Sequence, residues 1–93
     1  MIAVLSIHLR LHACDSLKEK RGRIKPLMAR LRREFNISVA ELDLQDQWHE
    51  SIIACAMVGN ERAHLESALQ TVEKWVEANW PDGMIIDEQL KIM

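Results

Sequence analysis

The sequence predicts one α+β domain over residues 1–93, with a four-stranded antiparallel sheet and two helices in the order β-α-β-β-α-β. Apolar residues alternate in four segments and recur at helical spacing in two others, and no linker or repeat separates the six segments. A composition of 48% hydrophobic and 28% charged residues supplies enough apolar material for a core and is too apolar for a disordered chain.

The first strand and the first helix differ in the spacing of their apolar residues. From Ala3 to Leu11 every second residue is apolar, which predicts a strand covered on one face. Ser16 and Glu19 then form an S-x-x-E capping box, which predicts the start of a helix. Apolar residues recur every three or four positions up to Phe35, so one side of this helix is expected to face the core.

The remaining segments predict two strands, a helix and a last strand. Residues 37–44 are β-prone with acidic interruptions, as an edge strand allows, whereas residues 48–58 are apolar on both faces, as in a central strand. Asn60 is the expected N-cap of an amphipathic second helix. Apolar residues alternate again in 86–92, with Glu88 as the exception on the inner side. Right-handed crossovers turn this order into a ferredoxin-like fold with both helices on one face of the sheet.

Composition and motifs exclude several functional classes. The longest unbroken apolar run, residues 52–58, is far below the roughly 18 residues of a membrane span, so a cytoplasmic protein without a membrane partner is expected. Cys14 and Cys55 are expected to be free thiols in a reducing compartment. No phosphate-binding loop, dinucleotide-binding glycine pattern or ligand spacing for a metal is present, so we expect no cofactor and no metal.

Four motifs in a fixed order carry a resemblance that runs nearly end to end. They are Ser16–Arg21 (SLKEKR), Phe35–Glu41 (FNISVAE), Gln45–Trp48 (QDQW) and Gly59–His64 (GNERAH). With these motifs the chain resembles the YlxP-like family of uncharacterised bacterial proteins. The resemblance implies a ferredoxin-like fold and no assigned activity. Genes of this family tend to neighbour genes for translation initiation and ribosome maturation, which implies a link with the ribosome.

Positive charge is concentrated in the first predicted helix. Eight of the twelve Lys and Arg residues lie between 18 and 33 with a single acid, giving this segment +7, and the net charge of −2 leaves −9 for the rest. At 3.6 residues per turn, Lys18, Arg21, Lys25 and Arg32 fall on one flank over roughly 20 Å, and Arg23 and Arg30 fall on the other. The candidate anion-binding residues are Lys18, Lys20, Arg21, Lys25, Arg30 and Arg32. The alternative is a solvated helix whose cations pair with the acidic remainder.

These observations favour a non-enzymatic binding protein that associates with RNA or the ribosome through its first helix. The uncovered sheet face lacks the aromatic residues of common RNA-recognition modules, so the helix is the expected contact. The alternative is a homo-oligomeric interaction module, for example a homodimer, that pairs through this sheet face, with Trp48, Ile52 and His8 at the interface. A third hypothesis is a thiol enzyme at Cys14, just before a helix start, with His12 as base.

Overall fold

The computed structural model describes residues 1–93 and contains the six predicted elements. They are β1 (Ile2–Leu11), α1 (Leu17–Glu34), β2 (Ser38–Asp43), β3 (Glu50–Val58), α2 (Arg62–Asn79) and β4 (Gly83–Ile92). The strands form one sheet in the order β2-β3-β1-β4, and every neighbouring pair is antiparallel. The predicted ferredoxin-like arrangement is therefore confirmed, with β2 at an edge and β3 in the interior of the sheet.

The hydrophobic core lies between the sheet and the two helices. Odd-numbered side chains of β1 are buried from Ala3 to Leu11, because a strand presents alternate residues to opposite faces. They pack against buried helical residues spaced three or four apart, namely Ile24, Leu27 and Leu31 of α1 and Leu65, Leu69, Val72 and Val76 of α2. Even-numbered residues of β1 lie on the opposite face, which no element covers; this face is called the open face below.

The start of α1 follows the predicted capping motif with one difference. The backbone amide of Glu19 donates to Ser16 Oγ at 3.0 Å, as an N-cap requires. In the reciprocal contact Glu19 Oε2 accepts from the backbone amide of Asp15 at 2.9 Å, one residue before the cap. This hydrogen bond is the main cause of the lowered pKa of Glu19, to which Arg23 also contributes.

Two local predictions are wrong. The N-cap of α2 is Glu61, not Asn60, and it makes no side-chain capping bond, because the helix begins one residue later than the sequence suggests. In β4 the register shifts between the partners of His8 and Leu9. This irregularity reverses the alternation, so Ile85, and not Ile86, pairs with Leu9 and packs against the core.

Candidate nucleic-acid interface

Most of the positive charge of α1 has no carboxylate partner. Within the helix only Lys20 and Arg23 form salt bridges, to Glu41 and Glu19 respectively. The basic residues with no carboxylate oxygen within 4.0 Å are Lys18, Arg21, Lys25, Arg30, Arg32 and Arg33. The alternative in which the helical cations are neutralised by the acidic remainder therefore applies to two residues out of eight.

Lys20 does not belong to the candidate anion-binding set, and this corrects the sequence-based prediction. Its side chain is 1% exposed, and its ammonium lies 3.0 Å from Glu41 Oε2 and donates to the Leu44 carbonyl at 2.6 Å. Glu41 Oε2 also accepts from the buried Ser51 hydroxyl at 2.6 Å. Lys20 thus joins the start of α1 to β2 and β3, and no ligand in solvent can reach its charge.

Arg23 also acts within the fold. Its guanidinium contacts Glu19 Oε1 at 2.5 Å and donates to the carbonyls of His12 and Ala13. Ala13 has a positive φ of 46°, a conformation that alanine seldom adopts. The arginine therefore holds the β1–α1 turn in this strained form and joins it to the first turn of the helix.

Arg30 and Arg32 are held by neutral groups and keep their charge available. The Arg30 guanidinium lies 4.8 Å from the centroid of the Trp75 ring and donates to the Asn79 carbonyl at 3.2 Å, at the end of α2. Arg32 Nη2 donates to the Val39 carbonyl of the edge strand at 2.6 Å. Both contacts fix the position of a cation without neutralising it.

Lys18, Arg21, Lys25 and Arg32 form a surface that we call the basic flank. All four are exposed, and the first three make no side-chain hydrogen bond. Their spacing puts them within about a quarter turn of one another over roughly 20 Å of helix. Three of the adjoining exposed positions, Gly22, Pro26 and Ala29, are small or compact, and a fourth is Arg33. A surface of this kind allows a polyanion to approach the helix backbone closely.

The predicted interface residues lie on or near the open face. His8 of β1 is paired directly with Ile52 of β3, so the structure brings these two together. His8 Nε2 lies 3.3 Å from Glu50 Oε1 but makes no aligned hydrogen bond. Trp48 is 48% exposed and precedes β3 in the loop, where its ring contacts that of His49 edge-on. The tryptophan thus lies beyond the end of the sheet.

The two cysteines are free and fully buried. Cys14 Sγ donates to the Ser16 carbonyl at 3.5 Å, and burial raises the pKa of the Cys55 thiol to about 12. Reactive thiols need both solvent access and a stabilised thiolate. The 0% exposure of Cys14 denies a substrate access to its sulfur, contrary to what a thiol enzyme at this position requires.

The structure also contains a pair of carboxyl groups, on α2 and β4, that the sequence analysis did not predict. Glu73 of α2 and Glu88 of β4 lie together in a depression that is also lined by Leu5, Leu69 and Leu90. Hydrogen bonding of the protonated Glu73 carboxyl to Glu88 raises the pKa of Glu73 to about 7, with burial and the nearby negative charges acting in the same direction. The only sequence signal for this pair was Glu88, which occupies an inner position of its strand. Periodicity reveals a charged residue on the inner face but does not reveal which residue lies next to it.

Fold and surface together define a small ferredoxin-like domain with a basic helical flank and an uncovered sheet face. A model of the family described as "Protein of unknown function (DUF503)" matches residues 2–89, so the chain belongs to this family.

Two further comparisons agree with this assignment. An uncharacterised protein of Bacillus subtilis (strain 168), YlxP, is 31% identical over 78 residues, which are 84% of this chain and 85% of that protein. A de novo designed protein with a ferredoxin fold, solved by solution NMR, superposes with a TM-score of 0.63 at 11% identity, covering 100% of this chain and 87% of its own. The predicted resemblance to YlxP-like proteins is therefore confirmed.

Neither helix combines the length and the apolar composition that crossing a bilayer requires.

Proposed function

We propose that this chain is a non-enzymatic RNA-binding protein of the cytoplasm, and that it contacts phosphate groups of free or ribosomal RNA through the basic flank. The observation that carries the proposal is the exposure of Lys18, Arg21, Lys25 and Arg32 without a carboxylate partner. Side chains that are already ion-paired within a protein gain little from a phosphate, whereas these four retain their full charge for it.

The position of the basic flank also supports an extended polyanion as partner. The four cations follow the helix for roughly 20 Å, a length that spans several phosphates rather than one. Arg32 is held by the Val39 carbonyl, so one end of the row is fixed in place. Fixed cations lose less conformational entropy on binding than free ones.

The proposed contact depends on the backbone of the RNA rather than on its sequence. The open face offers Ser6, His8 and Arg10 along β1, and this strand lacks the Phe and Tyr residues that stack bases in common RNA-recognition modules. Phosphate contacts position a protein without specifying bases. We therefore expect weak discrimination among single-stranded sequences and a strong dependence on salt.

Salt titration of RNA affinity tests the proposal. Contacts of Arg21, Lys25 and Arg32 with three phosphates of a single strand, with Lys18 assisting, give a slope of log affinity against log salt of about −2. The variant Arg21→Gln/Lys25→Gln should lower the affinity of a fluorescent oligonucleotide at low salt and reduce the size of this slope by about 1.4, that is, by about 0.7 for each lost contact. Glutamine is chosen because it forms helix nearly as well as the residues it replaces.

The matched control removes the same charge from α2. Arg62 and Lys74 are exposed there, and Arg62→Gln/Lys74→Gln changes the net charge by the same amount. This control should retain both the affinity and the slope of the wild type. Equal losses in the two variants, or no RNA retention by the wild type at low salt, would rule the proposal out.

A further inference from the structure

One strand of the open face, β4, carries a charge pattern that is complementary to itself. On β4 the residues of this face are, in order along the strand, Met84, Asp87, Gln89, Lys91 and Met93. Their partners on β1 establish the spacing: Asp87 is opposite His8, Gln89 is opposite Ser6 and Lys91 is opposite Val4. Met93 exchanges two backbone hydrogen bonds with Ile2 and so continues the row.

When a reversed second copy of this row is laid over the first, side chains of complementary chemistry meet. If a second β4 lies antiparallel over the first with Gln89 on Gln89, then Asp87 of each strand meets Lys91 of the other. The same reversal brings the exposed Met84 of each strand onto the exposed Met93 of the other. This superposition gives two identical ion pairs and two apolar contacts, as a two-fold axis requires.

Only one of the two simple ways to stack the open faces makes this match. An axis in the plane of the sheet and perpendicular to the strands puts β4 over β4 and forms both ion pairs. An axis parallel to the strands puts β4 over β2 instead. Asp87 and Asp43, which are both level with His8 and Ile52, would then face each other as like charges. Opposing like charges disfavour that arrangement.

The middle of the open face is flat. Ser6 of β1, Ala54 of β3 and Ala40 of β2 lie side by side in the row that contains Gln89. Small side chains here allow two sheets to approach at about the 10 Å spacing of a sandwich. Larger apolar side chains lie towards one end of the face, where Ile2 and Val58 are 47% and 76% exposed, and the axis perpendicular to the strands places them over Arg10 and Glu50 of the second copy.

The size of the face suits a dimer of moderate affinity. Nine paired rows join β1 to β3, so the face is roughly 30 Å long and 15–20 Å wide at ordinary strand spacing. Two such faces bury on the order of 1,000 Å², which is close to the lower limit for a specific interface. A second copy of this chain also supplies both signs of charge in matching positions, whereas a purely acidic or purely basic partner would repel one of them.

We propose that the open face pairs with the open face of a second copy of this chain, about a two-fold axis perpendicular to the strands, with Asp87 of each copy bound to Lys91 of the other. The helices then lie on the outer sides, so the inference is independent of the proposed RNA contact.

A charge swap followed by sedimentation equilibrium tests this arrangement. Wild type should dimerise at micromolar concentration, and Asp87→Lys or Lys91→Asp alone should raise the dissociation constant of the dimer by about tenfold or more. The double variant Asp87→Lys/Lys91→Asp restores opposite charges and should return the constant to within about threefold of the wild type. A wild type that remains monomeric, or a double variant no better than the single ones, overturns the proposal.

A second variant separates stacked faces from pairing at the sheet edge. Antiparallel pairing of two β4 edges would also bring Asp87 close to Lys91, but it leaves Ala54 uncovered. Ala54→Arg should therefore abolish the dimer, while Ala78→Arg, at an exposed position of α2, should leave it intact. Thermal unfolding followed by circular dichroism verifies that each variant is folded. A folded Ala54→Arg protein that still dimerises contradicts the face-to-face arrangement.

Discussion

Lys20 and Lys18 show how two similar residues, separated by one position, have different roles. The helix turns by about 200° between them, so Lys18 lies in solvent while Lys20 is directed under the helix towards Glu41. A buried ion pair stabilises a fold only when its remaining hydrogen bonds are satisfied, and here Leu44 and Ser51 satisfy them. The charge of Lys20 is therefore part of the tertiary structure, whereas the charge of Lys18 is part of the surface.

Replacing Lys20 with methionine should destabilise the fold substantially. The substitution keeps most of the volume but removes the ammonium partner, so the Glu41 carboxylate keeps only the Ser51 hydroxyl and the Leu44 carbonyl keeps only the Gln47 amide. Breaking one side of a buried pair costs about 3 kcal/mol or more, to be measured as the free energy of unfolding in urea. Lys18→Met should change it by less than about 0.5 kcal/mol. Similar values for the two variants would show that the Lys20–Glu41 contact contributes little.

Glu73 makes stability depend on pH near neutrality. Its pKa of about 7 in the folded chain exceeds the ordinary value of 4.5, so the folded state holds this proton more tightly than the unfolded state does. Stability is therefore lost as pH rises from about 4.5 to 7 and stays at the lower level above that range. Glutamine mimics the protonated form and still donates a hydrogen bond to Glu88.

Comparison of the melting temperatures of Glu73→Gln and wild type across pH tests this linkage. The two proteins should have similar midpoints near pH 4.5, and the variant should become progressively more stable than the wild type up to about pH 7. The control Glu34→Gln, at an exposed position of α1, should give a constant difference. A Glu73→Gln difference that does not grow with pH would refute the assignment.

At the scale of elements, α1 has an apolar side that packs on the sheet and an outer side that is open to solvent. Ile24, Leu27 and Leu31 attach it to the sheet, and Arg32 reaches the outer carbonyl of the edge strand β2. Edge strands with free backbone groups invite pairing with other chains, and a cation placed on such a carbonyl opposes this. The same arginine therefore protects the edge and extends the basic flank.

Gly22 lowers the stability of α1, although the space around it would accept a side chain. A Cβ added there meets nothing within 4 Å, and alanine forms helix better than glycine by about 1 kcal/mol. Gly22→Ala should therefore raise the free energy of unfolding by roughly that amount. The contrasting control is Gly83→Ala, whose Cβ would lie 2.0 Å from the Arg10 carbonyl and 2.8 Å from the Trp80 ring, and which should destabilise the protein. Destabilisation by Gly22→Ala would mean that the exposed helix surface is not free as described.

At the scale of the whole molecule, the two proposals use opposite sides of the sheet. The helices and their basic flank lie on one side, and the open face lies on the other. A dimer stacked through the open faces would thus present two basic flanks to the outside. Two linked sites bind a long polyanion more tightly than either site alone, provided that the chain can span both. RNA affinity should accordingly fall in the Ala54→Arg variant for long oligonucleotides and remain unchanged for short ones.

The sequence by itself determined the order and type of the elements, because alternation and helical spacing are local properties of the chain. It also located the basic helix and the open face, since both follow from periodicity along single elements. Only the tertiary structure decided which cations of α1 remain free to bind a ligand. Lys20 is paired with Glu41, and Arg23 is paired with Glu19 and with backbone carbonyls of the β1–α1 turn. Contacts between elements depend on the register between strands, and this register arises only when the elements pack together. The irregularity in β4, through which Ile85 and not Ile86 faces the core, is one example.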